Sequence, residues 1–479
     1  MKKFFGFALL VALTMMGMSC GSSPSSSVSN GGGAGSNPQS AAVFMTGEDA
    51  PLASVVGFNV TLNSVTLNGK DGTTATVISS SNPVTVDFAR LIGLRSPLSF
   101  NSVKPDTYVS ATFVLANPVI DYITLTPSPA VSTLTGTFPS NQNPYTLTVM
   151  FPTSMVVSSD GLAGLKMEMD IRQSLATDGS GNLVITNNTV AVTPVIYIKA
   201  THATDPDGQV TDLTGGLVSA SAANNNFVIQ GPYGRQLTVY VNNSTQFNSG
   251  WNINNLVPPA IVGVQGQFQA DGSLLAQGVE VITTSHSFVS GRILQVADNA
   301  GDVTVTMWVG ETGADMVSDV DTIQTIDITA VDDSNYEVCF FDNALTQFVF
   351  SGPSDLLVGQ RIFIGGDYSN PTFTPTMISL RRQGVYGTLN TGSVTVSDGN
   401  AGVFTLANNG LVGYSTGGIV TVDTFNATVF FNLTGLSQLQ SETTAIPIEA
   451  RGLFLKDPTT GNPTFYAGWV STPPQSTSK

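Results

Sequence analysis

The sequence predicts an all-β protein, in which an N-terminal immunoglobulin/transthyretin-like β-sandwich is followed by tandem small β-barrel-like modules. Three observations support this class. Apolar and polar residues alternate with a period of two in many short segments. Only 10% of the residues are charged while 41% are hydrophobic, and neutral Thr, Ser and Asn replace the missing charge. The 48 Gly and 25 Pro residues suit many tight turns. Because 479 residues exceed what one core can organise, several domains are expected.

The N-terminal segment has the composition of a secretory signal over residues 1–20. Two lysines precede an apolar run at 4–13, and residues 17–20 read Gly-Met-Ser-Cys. This ending resembles the lipobox of bacterial lipoproteins, whose cysteine is diacylated before cleavage, although Gly17 stands where that family prefers Leu. The resemblance implies that Cys20 is a lipid anchor and that the exported chain sits at the bacterial outer membrane or cell surface. Ordinary cleavage is the alternative.

A Gly/Ser-rich tether at 21–41 is followed by the sandwich, expected over 42–204. In its second strand, apolar residues occupy even positions from Phe58 to Leu62 and odd positions from Val65 to Leu67. Since successive strand residues point to opposite faces, this change of parity predicts a β-bulge or bend near Ser64.

A second strand with strict alternation is predicted over 165–172, where apolar residues alternate with Lys166, Glu168, Asp170 and Arg172. Such a pattern indicates one face in the core, and we expect the charged face to meet water.

Three features of this domain resemble a family of bacterial lipoprotein domains of unknown function. They are Thr-Gly-Glu-Asp-Ala-Pro at 46–51, the strand pair at 60–67, and Met-Glu-Met-Asp-Ile-Arg-Gln-Ser-Leu at 167–175. The resemblance implies a β-sandwich of immunoglobulin or transthyretin type on a tethered surface protein, and it implies no activity.

Beyond the turn-forming residues 205–208, three barrel-like repeats are predicted at 208–283, 284–383 and 384–472, with a disordered tail at 473–479. Each runs from a Gly-flanked strand to a Gly-punctuated hairpin, as sharply bent barrel strands require. The first repeat resembles a second bacterial family of unknown function with small barrel-like repeats.

The search for chemistry gives few candidates. A net charge of −16 argues against nucleic-acid binding. With two histidines and no catalytic motif, no enzyme and no cofactor are predicted. Asp205, Asp207 and Asp212 with the turn residue Gly208 form a calcium candidate, for which an interdomain turn is the alternative. A weaker acidic run contains Asp315, Asp319, Asp321, Asp332 and Asp333.

Trp251 is the candidate ligand-binding residue. Asn248, Asn252, Asn254 and Asn255 surround it, and an aromatic face beside amides suits a sugar. The alternative is a core tryptophan, which is common in small β-domains.

These observations predict a non-enzymatic, lipid-anchored cell-envelope protein whose β-modules serve as spacer and adhesion or ligand-binding units. Its expected partners are the membrane, through the N-terminal lipid, and a glycan or envelope protein. The alternative is a carbohydrate-capturing or polysaccharide-active surface protein with a loop site in one module.

Overall fold

The computed structural model describes residues 41–50, 52–91, 94–159, 161–178, 182–205, 208–231, 236–285, 287–340 and 348–472, with the side chains of residues 49, 50 and 212 excepted. The predicted signal, Cys20, most of the tether and the C-terminal tail lie outside these ranges. Among the described residues, no helix is long and apolar enough to cross a membrane.

The N-terminal domain consists of two β-sheets around one apolar core, and we call it the sandwich. Its strands are β1 Ala41–Ala50, β2 Val55–Gly69, β3 Thr74–Ile78, β4 Val84–Asp87, β5 Ser96–Val103, β6 Asp106–Thr124, β7 Ala130–Thr137, β8 Tyr145–Val157, β9 Leu162–Asp170, β10 Ile185–Thr186, β11 Thr189–Ala191 and β12 Ile196–Thr201. The four-stranded sheet has the order β12-β9-β1-β5. The eight-stranded sheet has the order β10-β11-β7-β6-β2-β3, with β4 beside β2 and β8 beside β6. A single-turn helix, α1 (Ile171–Ser174), follows β9.

The predicted bulge in β2 is confirmed. The pairing of β2 with β6 shifts register between Leu62 and Ser64, so Phe58, Leu62 and Val65 all point into the core in spite of their different parity. The irregularity thus keeps a 15-residue strand facing the same core along its length.

The expectation for residues 165–172 was partly wrong. Leu165, Met167 and Met169 are fully buried, as the alternation predicted. The charged face, however, lies against a later domain instead of water, and the side chains of Lys166 and Glu168 are only 12% and 16% exposed. The strand also ends at Asp170, because that carboxylate accepts a hydrogen bond from the Gln173 backbone N–H and caps α1.

Three further six-stranded sheets follow, and we call them modules 1, 2 and 3. Module 1 contains β13 Val210–Ser221, β14 Asn226–Gln230, β15 Gln236–Tyr240, β16 Gln246–Phe247, β17 Ile261–Phe268 and β18 Leu274–Thr283. Module 2 contains β19 Ser287–Asn299, β20 Asp302–Thr312, β21 Thr322–Asp327, β22 Tyr336–Val338, β23 Arg361–Ser369 and β24 Thr372–Leu380. Module 3 contains β25 Gln383–Leu389, β26 Thr395–Asp398, β27 Ala401–Ala407, β28 Ile419–Phe431, β29 Pro447–Lys456 and β30 Pro463–Ser471, with α2 Leu411–Ser415 and α3 Leu436–Ser441.

Modules 1 and 3 are closed five-stranded barrels. In module 1 the strands follow the order β15-β14-β13-β17-β18, and β15 pairs with β18 to close the ring. In module 3 the order is β25-β29-β30-β28-β27, and β25 pairs with β27. Module 2 has the order β21-β20-β19-β23-β24-β22. The all-β class is therefore confirmed. Short 3-10 turns complete the described elements, at Ala89–Leu91, Pro139–Asn141, Ala222–Asn224, Val317–Asp319, Asp333–Asn335 and Pro353–Asp355.

Glycine marks the bend of one antiparallel hairpin in each module. Gly266, Gly366 and Gly452 each follow a register shift, in the pairs β17–β18, β23–β24 and β29–β30. A Cβ atom at these positions would lie 1.8–2.4 Å from a carbonyl oxygen of the paired strand. Only glycine permits such close strands at these bends.

The sandwich contacts all three modules. Phe44 of β1 stacks on Phe268 of module 1 with ring centroids 5.0 Å apart. Ile123 of the sandwich shares a small apolar cluster with Trp308 of module 2 and Leu411 of module 3. The modules thus surround the sandwich through buried contacts.

Candidate functional site

A cleft of about 490 Å³ lies where the sandwich meets modules 1 and 2. The sandwich contributes β4 and β5, module 1 contributes parts of β13, β14, β15 and β17, and module 2 contributes the end of β20 and the residues before β21. The walls therefore come from three domains that are distant in sequence.

One wall of the cleft is apolar. Leu98 and Phe100 of β5 face Leu213 and Leu237 of module 1. Phe100 is fixed by stacking on Phe268, with ring centroids 6.0 Å apart. This wall can cover the hydrocarbon part of a small molecule.

The cleft also has acidic lining residues, and Asp87 is one of them. Asp87 closes β4, and its Oδ1 accepts a hydrogen bond from the Phe58 backbone N–H at 2.8 Å. Its Oδ2 is buried and accepts no hydrogen bond from any residue that the structure describes. A buried carboxylate oxygen without a hydrogen-bond donor is costly, and it leaves the negative charge of Asp87 poorly compensated beside the cleft.

Burial is the main influence on the ionisation of Asp87. Burial raises its pKa to about 6, and the charges of Asp321 and Asp121 raise it as well. Burial also raises the pKa of Asp121 to about 6, although that carboxylate accepts a hydrogen bond from Thr133 Oγ1 at 2.6 Å. The pKa of Asp321 is raised for the same reason, burial. Asp87 is still mostly ionised at neutral pH.

The charge balance of the lining is negative. Asp87, Glu311 and Asp321 contribute three carboxylates, and Arg90 contributes one guanidinium. Arg90 forms an ion pair with Glu311 at 3.2 Å. Among the described residues, Asp321 Oδ2 accepts one long hydrogen bond, of 3.4 Å, from Asn59. Asp87 and Asp321 therefore leave negative charge facing the cleft.

The structure describes the calcium candidate in part. Asp205 Oδ2 accepts a hydrogen bond from the His202 backbone N–H at 2.9 Å, and the Gly208 N–H binds the Asp205 carbonyl. Asp207 and the side chain of Asp212 lie outside the described residues. Within the described ranges, no group of three or more His, Cys, Asp or Glu side chains could hold a metal ion. The calcium site stays a prediction.

Trp251 is half-buried and packs against the core of module 1. Its neighbouring amides hold the loop together. Asn248 Nδ2 donates to the Val281 carbonyl, Asn255 Nδ2 donates to the Gly250 carbonyl, and Asn252 Oδ1 accepts from the Asn254 N–H. Ligand binding at Trp251 stays a prediction.

Of the other two tryptophans, Trp308 is buried and Trp469 is half-buried. Trp308 is 3% exposed. Trp469 stacks on Phe431, with ring centroids 6.2 Å apart, and the Arg451 guanidinium lies 3.6 Å from the Trp469 ring centroid. Trp469 and Phe431, which is 42% exposed, therefore form a partly exposed aromatic pair.

A buried charge cluster joins the sandwich to module 3. The Glu48 carboxylate, which is 1% exposed, binds Lys166 of β9 at 2.5 Å and Arg451 of β29. Arg451 also pairs with Glu449 at 3.0 Å. Burial by itself raises the pKa of Glu48, but the charges of Lys166 and Arg451 outweigh it and hold the pKa well below its ordinary value.

Glu168 is the member of this cluster whose pKa lies near neutral pH. Burial and the Glu48 charge raise its pKa to about 7, while Lys166, 3.8 Å away, lowers it. Ion pairs within this cluster link the sandwich to module 3, so we assign its residues a role in holding module 3 on the sandwich.

The sandwich, the closed barrels and the cleft between them define a multidomain all-β protein. Residues 42–187 match the family described as Domain of unknown function (DUF4382), and residues 215–280 match Domain of unknown function (DUF5666). The chain carries these two domains in this order, which confirms both sequence resemblances. No curated protein matches the chain.

Proposed function

We propose that this chain is a non-enzymatic, lipid-anchored protein of the bacterial envelope that binds a small amphipathic cation in the interdomain cleft. The observation that carries the proposal is the cleft itself, which combines an apolar wall with the carboxylates of Asp87 and Asp321. The lipobox-like residues 17–20 and the Gly/Ser-rich segment that follows support an anchor at Cys20 and a tether.

The size and chemistry of the cleft support a small organic ligand. Its volume of about 490 Å³ falls within the range of small-molecule sites, about 300–1,000 Å³. Leu98, Phe100 and Leu237 would cover an apolar body. The carboxylate of Asp87, which lines the cleft, would attract an ammonium group.

We also propose that modules 1, 2 and 3 are copies of one ancestral unit. The shared bulge glycines Gly266, Gly366 and Gly452 support this. A second set supports it as well: Gly215, Gly291 and Gly387 lie in the first strand of each module, where a Cβ atom would meet a carbonyl oxygen at 1.8–2.6 Å. In this proposal the modules build ligand-binding walls around the sandwich, and they do not act as a linear spacer.

The second candidate function is that of a polysaccharide-active protein. Asp87 and Asp321 place two carboxyl groups of raised pKa in one cleft, and glycoside cleavage uses one such group as its general acid beside a second, ionised carboxylate. Against it, the described lining contains the aromatic residues Phe100 and Phe268 and no Trp or Tyr.

The proposal is tested by calorimetric titration of the purified chain at pH 7.5 with hexylamine, hexanoate and hexanol. We expect hexylamine to bind best. Asp87→Asn should weaken hexylamine binding about 10- to 100-fold, because a hydrogen bond to a charged partner contributes about 1.5–3 kcal/mol. Asp71→Asn, which removes a carboxylate at an exposed turn, should bind like wild type.

Two results would contradict the proposal. The first is equal affinity of the Asp87→Asn variant and wild type. The second is loss of binding in Trp251→Ala with none in Asp87→Asn, which would move the site to the asparagine-rich loop. Release of reducing sugar from an oligosaccharide panel, abolished by Asp87→Asn, would support the enzymatic candidate.

Hexylamine binding should also depend on pH. Because the pKa of Asp87 is raised to about 6, its carboxyl is charged above that pH and neutral below it. Affinity should therefore fall as the pH decreases from 7.5 to 5, while hexanol affinity stays constant. The same titrations check this, and a hexylamine affinity independent of pH would rule out the carboxylate as the ammonium partner.

A further inference from the structure

A second, much smaller cavity lies where the sandwich, module 2 and module 3 meet. Its volume is about 50 Å³. Leu52 and Ala53 line it from the sandwich, Arg292 of β19 from module 2, and Tyr386 and Asn408 from module 3. Neither the cleft nor the Glu48 charge cluster shares these residues.

The Arg292 guanidinium has no counter-charge among the described residues. Its Nη1 donates one long hydrogen bond of 3.3 Å to the Gly359 carbonyl. That carbonyl also accepts from Gln383 Nε2 at 3.1 Å. No described carboxylate forms an ion pair with Arg292. The charge that acts on its pKa is the like charge of Arg361. Most of the five N–H donors of the guanidinium are therefore free to bind something else.

Arg292 keeps its proton at neutral pH. Burial, followed by the charge of Arg361, lowers its pKa to about 9. At neutral pH the side chain is therefore still a cation. A mostly buried cation without a counter-charge is unfavourable, and an anion at the guanidinium reduces that penalty.

The side chains of Asn408 and Tyr386, which also line the cavity, already have hydrogen-bond partners. Asn408 Nδ2 donates to the Tyr386 carbonyl at 2.6 Å, and Asn408 Oδ1 accepts from the Gly410 and Gly413 N–H groups. The Tyr386 hydroxyl accepts from Arg172 at 3.1 Å. Arg292 is thus the residue whose donors remain for a ligand.

We propose that Arg292 binds a monovalent inorganic anion of the size of chloride in this cavity, at the junction of three domains. The volume supports the size, since about 10–15 Å³ holds one water and 50 Å³ holds an ion with a few waters. It is too small for a nucleotide or an organic phosphate. The anion would contact walls from the sandwich and from modules 2 and 3, and so stabilise their packing.

The test is the ³⁵Cl NMR linewidth of sodium chloride solutions of the full chain. Wild type should broaden the chloride line, and Arg292→Gln should lose this excess broadening. The control Lys70→Gln removes the same charge at an exposed turn and should keep it. Equal broadening by Arg292→Gln and wild type would overturn the proposal.

A second measurement uses the wild-type chain alone, in case the variant does not fold. Thermal unfolding is followed at constant ionic strength while chloride is replaced by gluconate, which is too large for the cavity. We expect the unfolding midpoint to rise with chloride and to saturate, as binding to the folded state requires. A midpoint that is the same in both salts would overturn the proposal.

Discussion

Replacing Glu48 by Gln is expected to lower the free energy of unfolding by about 3 kcal/mol or more. The carboxylate is the shared partner of Lys166 and Arg451, both of which are at most 12% exposed at the side chain. Gln keeps the shape but removes the charge, and it leaves two cations with less compensation at the contact between the sandwich and module 3. Breaking a buried ion pair at one partner is costly because the other partner remains buried.

The measurement is urea unfolding followed by circular dichroism, with Glu442→Gln as the control. Glu442 lies just after α3, is only half-buried and belongs to no ion pair among the described residues. The control should unfold at the wild-type urea concentration, and Glu48→Gln at a clearly lower one. If the two variants unfold together, the charge cluster does not hold module 3 in place.

Replacing Gly291 by Ala is expected to destabilise the chain by about 3 kcal/mol. Gly291 lies in β19, where a Cβ atom would be 1.8 Å from the Trp308 carbonyl oxygen of β20. That oxygen belongs to the backbone of the paired strand, so it cannot move aside without shifting β20. The register of β19 with β20 slips between Ser290 and Gly291, which shows how closely the strands approach there.

Gly216→Ala is the matched control for Gly291→Ala. Gly216 lies in β13, the first strand of module 1, and a Cβ atom there would meet nothing within 4 Å. Because a strand glycine loses more entropy on folding than alanine, Gly216→Ala should stabilise the chain by about 0.5 kcal/mol. Thermal unfolding of both variants checks the pair. A Gly291→Ala midpoint equal to that of Gly216→Ala would show that the clash is relieved.

Periodicity predicted strands well, because it reports which face of a strand is apolar. The change of parity between Leu62 and Val65 located the irregularity in β2 correctly. The same signal failed at Lys166 and Glu168, because alternation shows that a strand has a second face and does not show what covers it. Arg451, which pairs with the neighbouring Glu48, lies in another domain, and charge pairing between domains leaves no local pattern.

The cleft could not be predicted from the sequence for the same reason. Asp321 was noticed as part of an acidic run, but Asp87 ends a short strand and Glu311 stands alone. Only the packing of the sandwich on modules 1 and 2 brings these three carboxylates together. The asparagines around Trp251 were conspicuous in sequence because they form turns, and turn chemistry and ligand chemistry use the same residue types.

The contact between Glu48 and Arg451 spans 403 positions of the chain. Synthesis proceeds from the N-terminus, so the sandwich is complete long before its last cationic partner has been made. Until β29 has been added, Glu48 and Lys166 have one another but lack Arg451, and the surface that module 3 covers remains accessible to chaperones and proteases. The ion pairing of Glu48 therefore depends on β29, 403 positions further along the chain, and a frameshift or nonsense mutation before residue 447 would remove that partner.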